Sequence, residues 1–299
     1  MEQWAQRTSE TVGTKDQRNS GYREQWAQRT SGTVGTVGSE DQWNTLILIL
    51  YTFSRTHWLA EIVSRIYNNG NLSEKRGFLM ERALHSHQPN SLIPDLSALP
   101  SLRIFKTHLS YDVIPKSPNK DTVCKYIYIA RNPKDIAVSY YFFWSGISLS
   151  WHGPWEVFAK LFVKGNGGFS TFGIPWNHWN DHVLGWWKHK DDPNVLFLKC
   201  EDIKKDPLSH VRMIADFLNR PLTDDVISRI AEQCNFITMK KDHDATLTVP
   251  FRDGRNVPIL RKGLVGDWKN YFTPELNERF DWEVLAKLHG TGLEFDFEI

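Results

Sequence analysis

Four segments of this chain carry residue types that could do chemistry on an anion. In FKTHLSYDVIP, Lys106 and His108 sit at alternate positions at the end of an apolar run, which puts both side chains on one side of a strand. A neighbouring ammonium disfavours the protonated imidazole, so His108 could take a proton near neutral pH while Lys106 offsets negative charge. In IYIARNPKDIAVSYYFFW, Arg131 closes a buried-type run and Ser139 lies two turns into the following helix, so a cation and a hydroxyl could face one anion. In LRKGLVGDWKNYFT, Arg261 and Lys262 stand beside Gly263, two cations next to a flexible backbone, which suits a clamp for a phosphate monoester. The fourth segment, LILILYTFSRTHWLAEIVSRIY, reads as a strand turning sharply into a helix, whose first N–H groups and dipole attract anions. Its turn, Tyr51 to Trp58, contains neither Gly nor Lys, the residues a phosphate loop uses for close backbone approach and for charge. Each segment also has an ordinary alternative: a surface charge, a structural histidine, or a plain strand-to-helix turn.

Bringing these segments together requires a scaffold, and the pattern of the chain supplies one. From Asn44 onward, short apolar runs alternate with amphipathic stretches, the signature of βαβ units and a mainly parallel sheet. Strands are expected at 46–51, 102–107, 124–130 and 194–200, each followed by polar or turn residues where a ligand could sit at the carboxyl edge. Asn132-Pro133 and Asp206-Pro207 read as helix starts, an N-cap followed by proline at the first helical position, where its missing N–H costs nothing. With no linker after residue 44, the expectation is one α/β domain over residues 44–299, a central sheet flanked by helices. Residues 1–43 contain a near duplication, EQWAQRTSETVGT from Glu2 and EQWAQRTSGTVGT from Glu24, with no hydrophobic period. This low-complexity tail is expected to be disordered, and its functional alternative is a docking segment presenting Trp4 and Trp26.

Composition narrows the partners. A hydrophobic content of 40% with 13 Trp provides for a large core, which excludes a mainly disordered chain. The net charge of +1 gives no general attraction to nucleic acid or an anionic membrane, so neither is an expected partner. Cys124, Cys200 and Cys234 lack metal-site spacing and fit a reducing compartment, so the expected location is the cytoplasm and no metal is expected. The longest aliphatic run, Leu46 to Leu50, is far below the roughly 20 residues of a membrane helix.

Taken in order, the four segments resemble the cytosolic sulfotransferases from about residue 44 to the C-terminus. RKGLVGDWKNYFT followed by NERFD is similar to that family's C-terminal signature, and IARNPKDIAVSYYFFW to its 3′-phosphate segment. The resemblance implies a parallel sheet with helices on both faces, a P-loop, nucleotide-kinase-like sulfotransferase fold. It further implies 3′-phosphoadenosine 5′-phosphosulfate (PAPS) as sulfuryl donor, without a metal, and a small acceptor bearing a hydroxyl or amine. Arg131, Ser139, Arg261, Lys262 and Gly263 would hold the 3′-phosphate; Trp58 and Phe236 would sandwich the adenine, near Cys200 and Cys234; Arg55, Thr56 and His57 would face the 5′-phosphosulfate. His108 would be the general base and Lys106 a charge-neutralising partner. The aromatic run around Phe143 implies an apolar or aromatic acceptor. The family's dimer motif would place Lys269, Thr273 and Glu278 in a homodimer contact. Three departures stand out: Phe53 where the family's phosphate loop has Lys, Arg55 where it has Gly, and Pro274 where the dimer motif has Val, which removes a backbone donor. The alternative implied by the first two is a catalytically weak or inactive relative that binds nucleotide or a protein partner.

Overall fold

A computed structural model describes residues 45–50, 56–71, 103–112, 114, 116, 124–146, 151–165, 178–243, 248–250, 254, 256–258 and 260–299. Four strands, β1 (Thr45–Leu50), β2 (Arg103–Thr107), β3 (Lys125–Ala130) and β4 (Val195–Lys199), form one sheet in the order β2-β1-β3-β4. All three pairings are parallel, with Ile49 opposite Thr107, Leu50 opposite Ile129, and Ala130 opposite Lys199. Their carboxyl ends therefore share one edge, and the chain reverses its direction of travel across the sheet beside β1, where such folds place ligands.

Strand periodicity divides the core in two. Ile47, Ile49, Tyr126 and Tyr128 face one layer, which contains α2 (Pro133–Gly146), α3 (Trp155–Val163), α4 (Trp179–Trp187) and α9 (Pro274–Glu283). Leu46, Leu48, Ile127 and Ile129 face the other, with α1 (Thr56–Tyr67), α5 (Cys200–Lys205), α6 (Pro207–Phe217), α7 (Asp224–Gln233) and α8 (Phe236–His243). Every residue of β3 is buried, as a central parallel strand covered on both faces requires. Helix α1 lays Leu59, Ile62, Val63 and Ile66 on the sheet, a spacing that gives one apolar stripe. A short antiparallel pair, β5 (Thr248–Pro250) and β6 (Asn256–Pro258), precedes the C-terminal segment, which contains 3-10 turns at Asp267–Asn270 and Leu285–Leu288.

The expected helix starts are present. Asn132 Oδ1 accepts from the Asp135 N–H at 2.8 Å, and Asp206 Oδ1 from the Ser209 N–H at 3.1 Å. Cys200 opens α5 instead of closing β4, because the β3–β4 ladder ends at Ala130 and Lys199. Pro274 also changes meaning. It is the first residue of α9, behind the Thr273 hydroxyl that caps the Leu276 N–H at 3.2 Å, so the donor it lacks is one that helices leave without an intrahelical partner. The repeat tail and the turn carrying Phe53 and Arg55 lie outside the described residues.

Candidate functional site

Arg131 follows β3 directly at the carboxyl edge and is 5% exposed, far from the surface charge that a lone arginine suggests. Its Nη1 donates to Ser139 Oγ at 3.0 Å and its Nη2 to the Leu264 carbonyl at 3.3 Å. The second contact spans 133 residues and joins the β3–α2 segment to the loop that carries Arg261, Lys262 and Gly263. That loop is held from below: Lys204 Nζ donates to the Gly263 carbonyl at 2.8 Å and Lys240 Nζ to the Leu260 carbonyl at 3.2 Å.

Two buried carboxylates organise the cluster. Asp135 accepts the N–H groups of Gly266 and Trp268, both at 3.0 Å, along with the Asn132 amide at 3.0 Å, and lies 3.6 Å from Arg131. Asp267 takes Arg261 Nη2 at 2.6 Å on one oxygen and Lys262 Nζ at 2.8 Å on the other. Burial would raise the Asp267 pKa, but the hydrogen bonds from Lys262, Arg261 and Asn270 outweigh it and hold the carboxyl below its usual range. The same pairing pushes the Lys262 ammonium up, so both partners agree on a charged pair. Because both carboxylates lie at the bottom, the outward face of the cluster is cationic, with the side chains of Arg261 and Lys262 26% and 43% exposed. A hydroxyl, two guanidinium groups and an ammonium carried on these linked segments suit a phosphate monoester.

An aromatic wall adjoins it. Gly263 has φ of +71°, and a Cβ there would fall 2.2 Å from the Phe236 ring, so both the backbone sign and the close approach require glycine. Trp58, in the first turn of α1, donates its indole N–H to the Cys234 carbonyl at 2.6 Å, which fixes its ring near the start of α8. Cys234 is 2% exposed, and burial pushes its thiol up to about 12, too high for thiolate chemistry near neutral pH. Cys200, 1% exposed, packs in the core under the same region. Thr56 begins α1 and His57 is half-buried in its first turn. The structure thus gathers Arg131, Ser139, Arg261, Lys262, Gly263 and Phe236 into one neighbourhood, with Trp58 beside it.

Lys106 and His108 lie on the same edge, at the end of β2. Both are half-buried, whereas Thr107 between them is 0% exposed, the alternation that a strand end imposes. Burial lowers the Lys106 pKa from its ordinary 10.5 to about 8. The cation is therefore present below about pH 8 and lost above it. Since the unfolded chain binds the additional proton between about 8 and 10.5, stability should rise with pH through that window. Lysine-selective ¹³C NMR should give Lys106 a midpoint near 8, and an ordinary midpoint would mean that its amine is solvated.

Asp135, Asp267, Lys204, His182 and Tyr128 escape sequence reasoning. Asp135 could be suspected from its place three residues after the Asn132 cap, and Asp267 from its spacing after Lys262. The others carry no local signal. Among the described residues, no group of three or more His, Cys, Asp or Glu side chains could hold a metal ion, and no helix is long and apolar enough to cross a membrane.

A parallel sheet that collects cations, a glycine-dependent close approach and an aromatic wall at its carboxyl edge defines an α/β protein of the P-loop-like class. The chain belongs to the sulfotransferase family: residues 44–292 match the sulfotransferase domain. Sulfotransferase 1B1 of Mus musculus is 37% identical over 266 residues, 85% of this chain and 86% of that protein. The crystal structure of mouse sulfotransferase SULT7A1 complexed with PAP matches with a TM-score of 0.63 at 32% identity, covering 83% of this chain and 84% of that one. Retinol dehydratase in complex with androsterone and the inactive cofactor PAP matches at 0.69 and 25%, covering 84% and 82%. The sulfotransferase fold expected from the sequence is the fold of this chain.

Proposed function

We propose that this protein transfers a sulfuryl group from PAPS to a hydroxyl or amine of a small apolar or aromatic acceptor. The observation that carries the reading is the Arg131 guanidinium, which bridges Ser139 and the Leu264 carbonyl and so assembles the cationic cluster. Arg131, Ser139, Arg261, Lys262 and Gly263 would hold the nucleotide's 3′-phosphate. Trp58 and Phe236 would flank its adenine above the buried Cys200 and Cys234, with Thr56, His57 and Arg55 toward the 5′ side. When bound, the nucleotide supplies a sulfuryl group already activated by its phosphate leaving group.

The protein's own part is acid–base and electrostatic. The His108 ring takes the proton of the acceptor hydroxyl or amine, which raises the nucleophilicity of that atom. The Lys106 ammonium places positive charge at the same strand end, where negative charge builds during transfer. The aromatic run around Phe143 on α2 belongs to the same reading, as the wall of an apolar or aromatic acceptor site. The cytoplasm is the proposed location, in keeping with a chain of only three cysteines without disulfide or metal-site spacing. A homodimer through Lys269, Thr273 and Glu278 belongs to the same reading, with Pro274 accommodated as the first residue of α9.

A second reading, a weak or inactive relative that binds nucleotide or a protein partner, rests on Phe53 in place of the loop lysine. Removing one such transition-state contact costs on the order of 100- to 1,000-fold in rate. Calorimetry with 3′-phosphoadenosine 5′-phosphate (PAP) tests the site first. The intact chain should bind, and Arg261→Ala should weaken binding by roughly 10- to 100-fold, the worth of one charge-assisted contact. Binding together with transfer activity toward phenols supports the first reading, binding without activity the second, and no binding sinks both.

A further inference from the structure

His182 lies on α4 at 1% exposure, between two partners that leave its ring one tautomer. Its Nε2 is 3.0 Å from the carbonyl oxygen of His108, which can only accept, so Nε2 carries the hydrogen. Nδ1 is then bare and accepts from the Tyr128 hydroxyl at 2.9 Å. Tyr128, 0% exposed on β3, is itself fixed by stacking on Trp186 and Phe197 at 5.4 and 5.0 Å. The indole of Trp186, one turn further along α4, donates to the neighbouring Leu109 carbonyl at 3.3 Å. Burial lowers the His182 pKa to about 4, so the ring stays neutral and keeps this arrangement at neutral pH. The backbone that leaves β2 is thus tied at two successive carbonyls to a helix from elsewhere in the chain. On the other side, the Thr107 hydroxyl accepts from the Leu109 N–H at 3.3 Å.

We propose that His182 is a positioning residue: through the line from Tyr128 to the His108 carbonyl, it sets where the His108 ring stands at the carboxyl edge of the sheet. This rests on His108 acting as the general base. A base displaced by about 1 Å can cost on the order of 100-fold in rate without touching the residues that bind nucleotide.

The test uses the full chain with PAPS and a simple phenol such as 2-naphthol as acceptor, beside ¹H–¹⁵N ring spectra of the histidines. His182→Phe fills the cavity but cannot hydrogen-bond; kcat should fall roughly 10- to 100-fold, with KM values and the PAP Kd within about twofold. His182→Gln can donate to the carbonyl and accept from Tyr128, and should recover kcat to within about threefold. Tyr128→Phe, which removes one hydroxyl, should show a smaller loss of the same kind and covers the case in which His182→Phe does not fold. In the spectra, wild-type His182 should appear as the neutral Nε2–H tautomer, and the His108 resonances should move in His182→Phe and Tyr128→Phe but not in His182→Gln.

Unchanged kcat in the phenylalanine variants, or His108 resonances that stay in place, overturns the proposal. So does a parallel fall of kcat, PAP affinity and melting temperature, which marks a structural role alone. Failure of the base reading is separate: His108→Ala would then keep full activity, while the ring spectra still report whether His182 holds the His108 segment.

Discussion

His108→Ala is expected to lower kcat by about 100- to 10,000-fold, the usual range for removing a general base, while leaving PAP affinity intact. The two effects separate because the residues concerned occupy different strands of one edge. His108 follows β2 at one end of the sheet order, whereas Arg131, Ser139 and the Arg261–Gly263 loop gather around the end of β3, two strands away. His108→Gln should be nearly as damaging, because an amide of similar size can hydrogen-bond to the acceptor but cannot take its proton. Steady-state kinetics with a phenol acceptor, paired with calorimetry for PAP, gives both quantities from one preparation. If kcat stayed within threefold of the wild type in both variants, some other group would have to take the proton.

Asp135→Ala should destabilise the fold by about 3–5 kcal/mol, the cost of removing one partner from a buried, hydrogen-bonded charge network. The carboxylate is 1% exposed and receives the Gly266 and Trp268 N–H groups and the Asn132 amide, while facing Arg131. Alanine leaves all of these donors without their acceptor at once, and the C-terminal loop loses its attachment to the start of α2. Asp135→Asn retains one carbonyl oxygen and should fall between the two. Urea denaturation measures the stability loss; calorimetry with PAP at a temperature where the variant is folded should show weaker binding, because the loop carrying Arg261 and Lys262 is no longer anchored. A loss of under about 1 kcal/mol would show that water replaces the carboxylate, and Asp135 would cease to be the hub of the site.

The C-terminal segment shows how far this site depends on distant anchoring. Lys134, 4% exposed in the first turn of α2, pairs with Asp281, donates to Asn277 at 2.6 Å, and sits 4.6 and 5.0 Å from the rings of Trp268 and Phe297. Aromatic faces and a carboxylate thus surround the buried ammonium and offset its charge. It holds α9 and the chain's last residues against the helix that carries Ser139. The loop bearing Arg261 and Lys262 is therefore gripped from both ends, by Asp135 and Lys134 on one side and by Lys204 and Lys240 on the other.

What the sequence by itself determined follows from local rules. Alternating apolar runs and amphipathic stretches specify a parallel sheet covered on both faces, and the Asn132-Pro133 and Asp206-Pro207 caps mark helix starts because proline tolerates only the first turn. The long motifs around Arg131 and Arg261 named the family. Tertiary structure alone decided how those parts meet. Arg131 became a buried bridge to Leu264, Asp135 and Asp267 became its organising carboxylates, and His182 came to rest on the His108 carbonyl. The Arg131–Leu264, Asp135–Gly266 and His182–His108 contacts each join residues more than 70 positions apart. Hydrogen bonds of that kind leave no period in the chain. They exist only once burial has excluded water and obliged each polar atom to find its partner across the fold.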